Sequence, residues 1–491
     1  MPLILPGNVA SAVSGAYEVA NSCRFNSVDD ACMHKAFGTP TSVDKWTISF
    51  WVKRGNLSDN GDDDYQNIWG TITNDGTSNV DSRFNSTDDM RFTFWQGGAT
   101  VAKLNTNAKF RDPSAWYHMV QVWDSGNATA GDRMKWYVNG VEVTAFSTDT
   151  NPSQDLDSYW NSSGSLATIG SFRAPTPGSD GTGSSGDYYL AEVVFCDGQA
   201  YAASDFGEFD DDSPTIWKPK DVSGLTFGNN GFYLDFEASD NLGNDANGGT
   251  DFTLINMAAA DQSTDSPTNN FATLNLLDNY YQAATFSEGN CKVVTGGSSV
   301  YAPTFSTLGM TAGKWYCEVM PAARGNGVDE FVIGVASTQV IEADETLGRA
   351  SAHDWGYYGD NGQKYNVGTH GSYGDAYTLN DKMGIALDLD NNKLYFAKNN
   401  TWQDSGDPTS GATGTGAISI TAASSTPLGA YFFAFAYYGN DAGTMAVNFG
   451  GCPSFAITSA ANDANGYGTF EYAPPSGYLS LCTKNLGSDG G

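Results

Sequence analysis

Apolar and polar residues alternate with a period of two over many short runs of this chain, and long helix-forming runs are missing. Residues 46–53 are the clearest case: the alternation puts Trp46, Ile48, Phe50 and Val52 on one face of a strand. Residues 91–95, 117–123 and 135–138 read the same way, and residues 188–195 form a nearly continuous apolar strand. Asn139–Gly140, between Val138 and Val141, predicts a two-residue hairpin, because a type I′ turn requires two positive φ angles. Many antiparallel strands at this spacing predict a jelly-roll sandwich.

The pattern weakens between about 198 and 275. Ser204 reads as a cap for a short helix, Pro214 as its break, and residues 241–250 as a polar, Gly-rich turn region. Residues 231–236 are apolar enough for a strand docked on a neighbouring sandwich. Strands resume at 314–319, 331–336, 383–389, 393–396 and 431–438, with 390–392 as a hairpin turn. The expected fold class is all-β, with two antiparallel β-sandwich modules in series joined by an ordered connector. The expected segments are an N-terminal arm (1–16), a first jelly roll (17–200), the connector (201–275) and a second sandwich (276–491).

Length agrees, since 491 residues exceed one ordinary core. With 24 Lys plus Arg against 56 Asp plus Glu, the formal charge is −32. That field repels phosphate backbones and anionic headgroups, which argues against nucleic-acid and membrane partners. The 7 cysteines are widely spaced without C-x-x-C, so they read as buried thiols rather than a disulfide or zinc framework. The N-terminal stretch lacks a basic region and is broken by Pro2 and Pro6, so it is not expected to be a signal peptide. No apolar run of about 18 residues is present to span a bilayer.

Two resemblances emerge. Residues 46–54, 116–123 and the hairpin at 136–143, with the I-G-S-F at Ile169, resemble the laminin-G-like, concanavalin-like jelly roll. The run G-K-W-Y-C-E-V (313–319), I-G-V-A (333–336), W-G-Y-Y (355–358), M-G-I-A-L-D-L-D (383–390), K-L-Y-F-A-K-N (393–399) and V-N-F-G (447–450) resembles a SPRY domain, a bent β-sandwich that binds partners through loops. Their combination, with F-Y-L-D-F (232–236) and D-S-P-T-N-N-F-A-T-L-N (265–275), resembles virion proteins of tailed phages of marine bacteria, usually taken for fibre or surface structural proteins.

Catalytic constellations do not assemble in the sequence. Glycoside hydrolysis needs two carboxylates on one concave face; the nearest run, Glu208, Asp210 and Asp212, follows the last strand of the first module and reads as a solvated loop, as does 342–345. His118 lies inside an apolar strand and reads as structural; Ser351, His353 and Asp354 are adjacent in sequence, which does not make a triad. Ligand-binding candidates cluster at Trp355, Tyr357, Tyr358, Asp360, Asn361 and Tyr373, where aromatic faces would stack and Asp and Asn would orient a ligand. Trp402 reads as part of the strand and turn after the hairpin. Asp59, Asp62, Asp63 and Asp64 are weak calcium candidates, dense in oxygen ligands but without EF-hand spacing.

The expected function is a non-enzymatic phage virion protein, a tail-fibre or other surface component. It would bind host-surface polysaccharide or outer-membrane protein and neighbouring virion subunits. It would be a homo-oligomer assembled in the host cytoplasm, requiring no cofactor, with the calcium weighed above as an optional ion. The alternatives are a capsid decoration protein with an assembly role, a glycan depolymerase and a secreted adhesin.

Overall fold

The computed structural model describes residues 17–57, 65–72, 77–172, 185–278, 284–297, 300–325, 330–337, 345–349, 351–439 and 441–489. The chain is nearly all-β and divides into two compact units at Thr268/Asn269. The expected arm, 1–16, lies outside the described residues.

The first unit is a sandwich of two eight-stranded sheets. One runs Val141–Glu142, Met134–Val138, Trp116–Asp124, Lys45–Arg54, Tyr188–Asp197, Ser22–Phe25 and Gln262–Ser263, with Phe232–Leu234 also on Tyr188–Asp197. The other runs Phe146–Thr150, Ala99–Thr106, Met90–Gln96, Ser78–Phe84, Gln66–Ile72, Leu166–Ile169, Cys32–Ala36 and Thr253–Ile255. Trp46, Ile48, Phe50 and Val52 all enter the core, as the alternation predicts. There Trp46 meets Trp69 edge-on at 5.8 Å and stacks on Trp123 at 6.2 Å. One polar pin crosses the core: Trp69 Nε1 donates to Gln121 Oε1 (2.9 Å), and Gln121 Nε2 donates to Ser82 Oγ (2.8 Å). The hairpin at Asn139–Gly140 forms with φ of 47° and 80°, pairing Val138 with Val141.

The stretch expected as a connector is built into this unit as far as Thr268. Phe232, Leu234, Phe236, Leu242 and Phe252 join the first core, while Ala203, Phe206, Val222 and Phe227 cover Val120, Val122 and Val194 on the outer face of the first sheet. Residues 203–205 form only a short 3-10 turn, and 207–209 pair with 217–219 as a hairpin in place of the expected helix end. Two polar groups fasten this layer. Asp265 pairs with Lys53 Nζ at 2.6 Å and accepts from Trp116 Nε1 at 3.0 Å. Trp217 Nε1 donates to His118 Nδ1 (2.9 Å), so the His118 Nε2–H faces Ser49 Oγ at 2.8 Å. Burial pushes His118 down to about 3, which keeps the ring neutral.

The strand Tyr188–Asp197 breaks register between Ala191 and Val194, and Glu192 takes a left-handed φ of 50° there. Its buried carboxyl receives the Tyr17 hydroxyl (2.9 Å) and the Tyr233 hydroxyl (2.8 Å). Burial pushes this carboxyl up to about 7, against the lowering effect of the two phenols and with Asp235 and Glu237 adding to the rise.

The second unit pairs a nine-stranded with a six-stranded sheet. The larger runs Thr285–Ser287, Lys292–Gly296, Ala442–Asn448, Lys314–Ala323, Met383–Asp388, Lys393–Lys398 and Thr401–Trp402, with two short strands on its flanks. The smaller runs Thr304–Phe305, Phe432–Tyr438, Glu330–Ala336, Trp355–Tyr358, Gln363–Asn366 and Thr369–Ser372. Trp315, Cys317, Val319, Ile385 and Leu387 from one sheet meet Phe331, Ile333, Val335, Phe433 and Phe435 from the other. Glu318, on the opposite side of its strand, accepts from the backbone N–H of Glu471 (2.9 Å) and Tyr472 (2.8 Å) and anchors the C-terminal segment. All seven cysteines are buried without a disulfide, and no helix among the described residues is long and apolar enough to cross a membrane.

Candidate functional site

Strand alternation divides the six residues expected as one ligand-binding patch. Tyr357 points into the core, fully buried, and stacks on Phe396 at 5.1 Å, with Trp355 half-buried against the same core. Tyr358 faces the other side and meets Tyr365 edge-on at 5.4 Å. Asp360 and Asn361 are exposed on the turn beyond the strand. Burial thus gives Tyr357 and Tyr358 packing roles. Asp59, Asp62, Asp63 and Asp64 lie outside the described residues.

Tyr373 alone of the six lines a groove, of about 490 Å³, with Ser372, Gly374, Asp375, Thr401, Trp402, Gln403, Asp404 and Ser405. Two backbone segments make its walls. Asn399 and Asn400, at φ of 47° and 66°, turn the chain out of Lys393–Lys398 so that Trp402 pairs with Ala397 and its ring meets Tyr395 edge-on. Asp404 and Ser405 follow at φ of 54° and 53°, two successive left-handed residues without glycine. The buried Gln403 side chain ties the walls together. Its Oε1 accepts from Asp375 N–H (2.8 Å), and its Nε2 donates to Thr401 O (2.8 Å). Tyr357 Oη donates to Asp375 O at 2.6 Å from beneath. Gly374 is required here: a Cβ would stand 2.5 Å from Gln403 Oε1 and 2.7 Å from Tyr357 Oη.

The groove is mostly polar and acidic. Trp402 is half-buried, so part of its ring is available, while the Tyr373 ring is mostly covered. Among the described residues neither the Asp375 nor the Asp404 carboxylate makes a hydrogen bond or ion pair, and Lys364 Nζ stands 5.7 Å over the Tyr373 ring. Burial raises the Tyr373 phenol, leaving it a neutral hydroxyl that donates to Gly416 O at 3.3 Å. An aromatic surface beside free carboxylates and the hydroxyls of Ser372, Thr401 and Ser405 suits hydroxyl-rich or cationic ligands and repels anions. Of these residues only Tyr373 was a sequence candidate. The Asn-Asn turn before Trp402 was the available signal for the other wall; the Gln403 bridge spans 28 residues and left none.

A second depression, of about 520 Å³, lies at the rim of the first unit, lined by Thr41, Ser42, Asp44, Lys45, Asp124, Gly126, Asn127 and Gly198. Beneath it the fully buried Asp197 accepts from the N–H of Thr41 (2.6 Å), Ser42 (3.0 Å) and Asn230 (3.1 Å) and from Asn161 Nδ2 (2.7 Å). Lys45 Nζ sits 3.6 Å from Asp124, so part of the rim charge is compensated. Among the described residues no group of three or more His, Cys, Asp or Glu side chains is placed to hold a metal ion.

The other sequence motifs have structural partners. Asp210 caps Asp212 N–H (3.0 Å) and Ser213 N–H (2.9 Å), and Lys218 lies 3.6 Å from both Glu208 and Asp210. Asp354 accepts from Ser337 N–H at 2.9 Å, and Ser351 Oγ accepts from His353 N–H at 3.0 Å, an arrangement of turns and not of a relay.

Residues 27–179 match the family described as the concanavalin A-like lectin/glucanases superfamily, and residues 314–438 match the SPRY domain. No curated protein matches the chain. Among solved structures, the chain is similar to the SPRY domain of human HERC1 at 13% identity, covering 37% of this chain and 99% of that one, with a TM-score of 0.28. It is similar to a heptameric SAP-like pentraxin from Limulus polyphemus at 15% identity, over 38% of this chain and 80% of that one, with a TM-score of 0.28. A protein from Bacteroides ovatus titled as a proposed carbohydrate-binding protein is similar at 15% identity, over 48% of this chain and 58% of that one, with a TM-score of 0.33. The chain carries a laminin-G-type, concanavalin-like domain followed by a SPRY domain.

Proposed function

We propose that this chain is a non-enzymatic surface protein of a phage virion, a fibre or other appendage component, that binds host-surface glycan or protein through its second unit. The observation that carries the binding reading is the groove walled by Tyr373, Trp402 and the unpaired Asp375 and Asp404. A groove that shallow gives weak affinity per site. Display in many copies on one particle raises avidity by roughly 10²–10⁴ without any new contact. A net charge of −32 suits a protein that must stay soluble at high local density. In this reading no bond is made or broken, no cofactor is required, and the partners are neighbouring virion subunits, copies of this chain and the host surface. Calcium, at Asp59, Asp62, Asp63 and Asp64, would be accessory.

Gold-labelled antibody against the full chain tests the placement. It should decorate the outside of phage particles whose genome encodes this sequence. Particles without label, and without the chain by mass spectrometry, would end the virion reading and leave the groove itself to be judged by its ligand.

A further inference from the structure

The outer face of the second sheet in the first unit carries an island of positive charge in this strongly acidic chain. Val80, Phe84, Phe92, Phe94, Ala102 and Leu104 point into the core. Alternation therefore turns Asp81, Arg83, Arg91, Thr93, Trp95 and Lys103 outward. Register makes them neighbours: Arg83 lies opposite Arg91, Asp81 opposite Thr93, and Thr93 opposite Lys103.

Three cations share one carboxylate. Asp81, buried, takes the Arg91 guanidinium at 3.2 Å and Arg83 Nε at 3.6 Å. The next acid, Asp89, is already paired with Lys109 Nζ at 2.5 Å. Lys103 makes no ion pair or hydrogen bond among the described residues. Its ammonium is lowered by burial first and then by repulsion from Arg91 and Arg83. Arg83 is only 9% exposed, and its guanidinium carbon stands 3.5 Å over the Tyr65 ring. Its Nε is buried without a hydrogen-bond acceptor, and so is the hydroxyl of Thr93. The Arg83 guanidinium, stacked on Tyr65, and the unpaired Lys103 ammonium stand on strands two apart, about 9.6 Å, and lack an anion that would accept from both; the Thr93 hydroxyl and Arg83 Nε are sealed from solvent and take no part.

We propose that this face binds an acidic glycan, with a carboxylate or sulfate group received by Arg83, Lys103 and Arg91 and a sugar ring against the half-buried Trp95. A nucleic acid is the wrong polyanion for this chain, because its phosphates would meet the overall charge of −32 along their whole length. A single acidic group on a sugar feels mainly the charges within a Debye length of about 10 Å. The site is separate from the groove of the second unit and opposite to it in ligand charge.

Titration of the full chain with polygalacturonate and with dextran sulfate, and with neutral dextran as the blank, tests this by calorimetry at low and high salt. At least one polyanion should bind, weakening as salt rises, and which one binds identifies the acid. Lys103→Gln should weaken it about tenfold or more; this variant removes no described contact, so its thermal midpoint should match the wild type. Arg83→Lys should weaken it as well, because the charge stays and the fork is lost. Trp402→Ala should leave it unchanged. Absence of binding by both polyanions, equal binding of neutral dextran, an unaltered affinity in Lys103→Gln or a loss in Trp402→Ala would each overturn the assignment.

Discussion

Glu192→Gln should make the first unit more stable, and by an amount that grows with pH. The wild-type carboxyl lies at about 7 in the fold against 4.5 for the ordinary side chain. The folded state therefore keeps a proton that the unfolded chain gives up between those values. The stabilisation is fully present below about 4.5 and is lost as pH rises through 7, a loss of about 3 kcal/mol. Glutamine fills the same space, cannot ionise, and offers the Tyr17 and Tyr233 hydroxyls both an acceptor and a donor. Urea unfolding followed by tryptophan fluorescence at pH 4.5, 6, 7 and 8 reads the difference between variant and wild type. It should be near zero at pH 4.5 and favour the variant by about 3 kcal/mol at pH 8. His118 acts in the other direction, since its neutral form is held down to about 3 and stability falls as pH drops below its ordinary 6.5. It is present in both proteins and cancels in the difference. A difference that does not change with pH, or a variant less stable at pH 8, would refute the reasoning.

Other expectations follow from single contacts. Asp197→Ala strips an acceptor from three backbone N–H groups and Asn161, and should cost roughly 3–5 kcal/mol by thermal or urea unfolding. Lys53→Met leaves the buried Asp265 without its cation at 2.6 Å and should cost about 3–5 kcal/mol, with much of that loss recovered in Lys53→Met/Asp265→Leu. Gly374→Ala should drive a methyl into Gln403 and Tyr357 Oη, costing about 1–3 kcal/mol while the second unit stays folded, as circular dichroism would show, and lowering ligand affinity in the groove.

What could be read in the sequence was local. The alternation in residues 46–53 and the Asn139–Gly140 turn need only neighbours within a few residues, and both are found as read. Residues 201–268 were harder, because strand Phe232–Leu234 is short and finds its partner about 40 residues upstream at Val193–Phe195. A fragment of three residues carries too little periodicity to say which sheet it will join. The aromatic cluster at 355–358 was visible as composition, yet one residue of alternation sends Tyr357 into the core and Tyr358 to the opposite face. Groove and cationic island were hidden for the same reason. Gln403 meets Asp375, and Lys103 meets Thr93 and Asp81, only through tertiary register.

The most direct test of the central claim is binding of the full chain to an array of bacterial surface saccharides, wild type beside Trp402→Ala. The account predicts that at least one neutral or amino-bearing glycan is retained, that Trp402→Ala weakens it about tenfold or more, and that the glycan is recovered uncut. No retention of any neutral or amino-bearing glycan, an unchanged Trp402→Ala, or release of new reducing ends would contradict it.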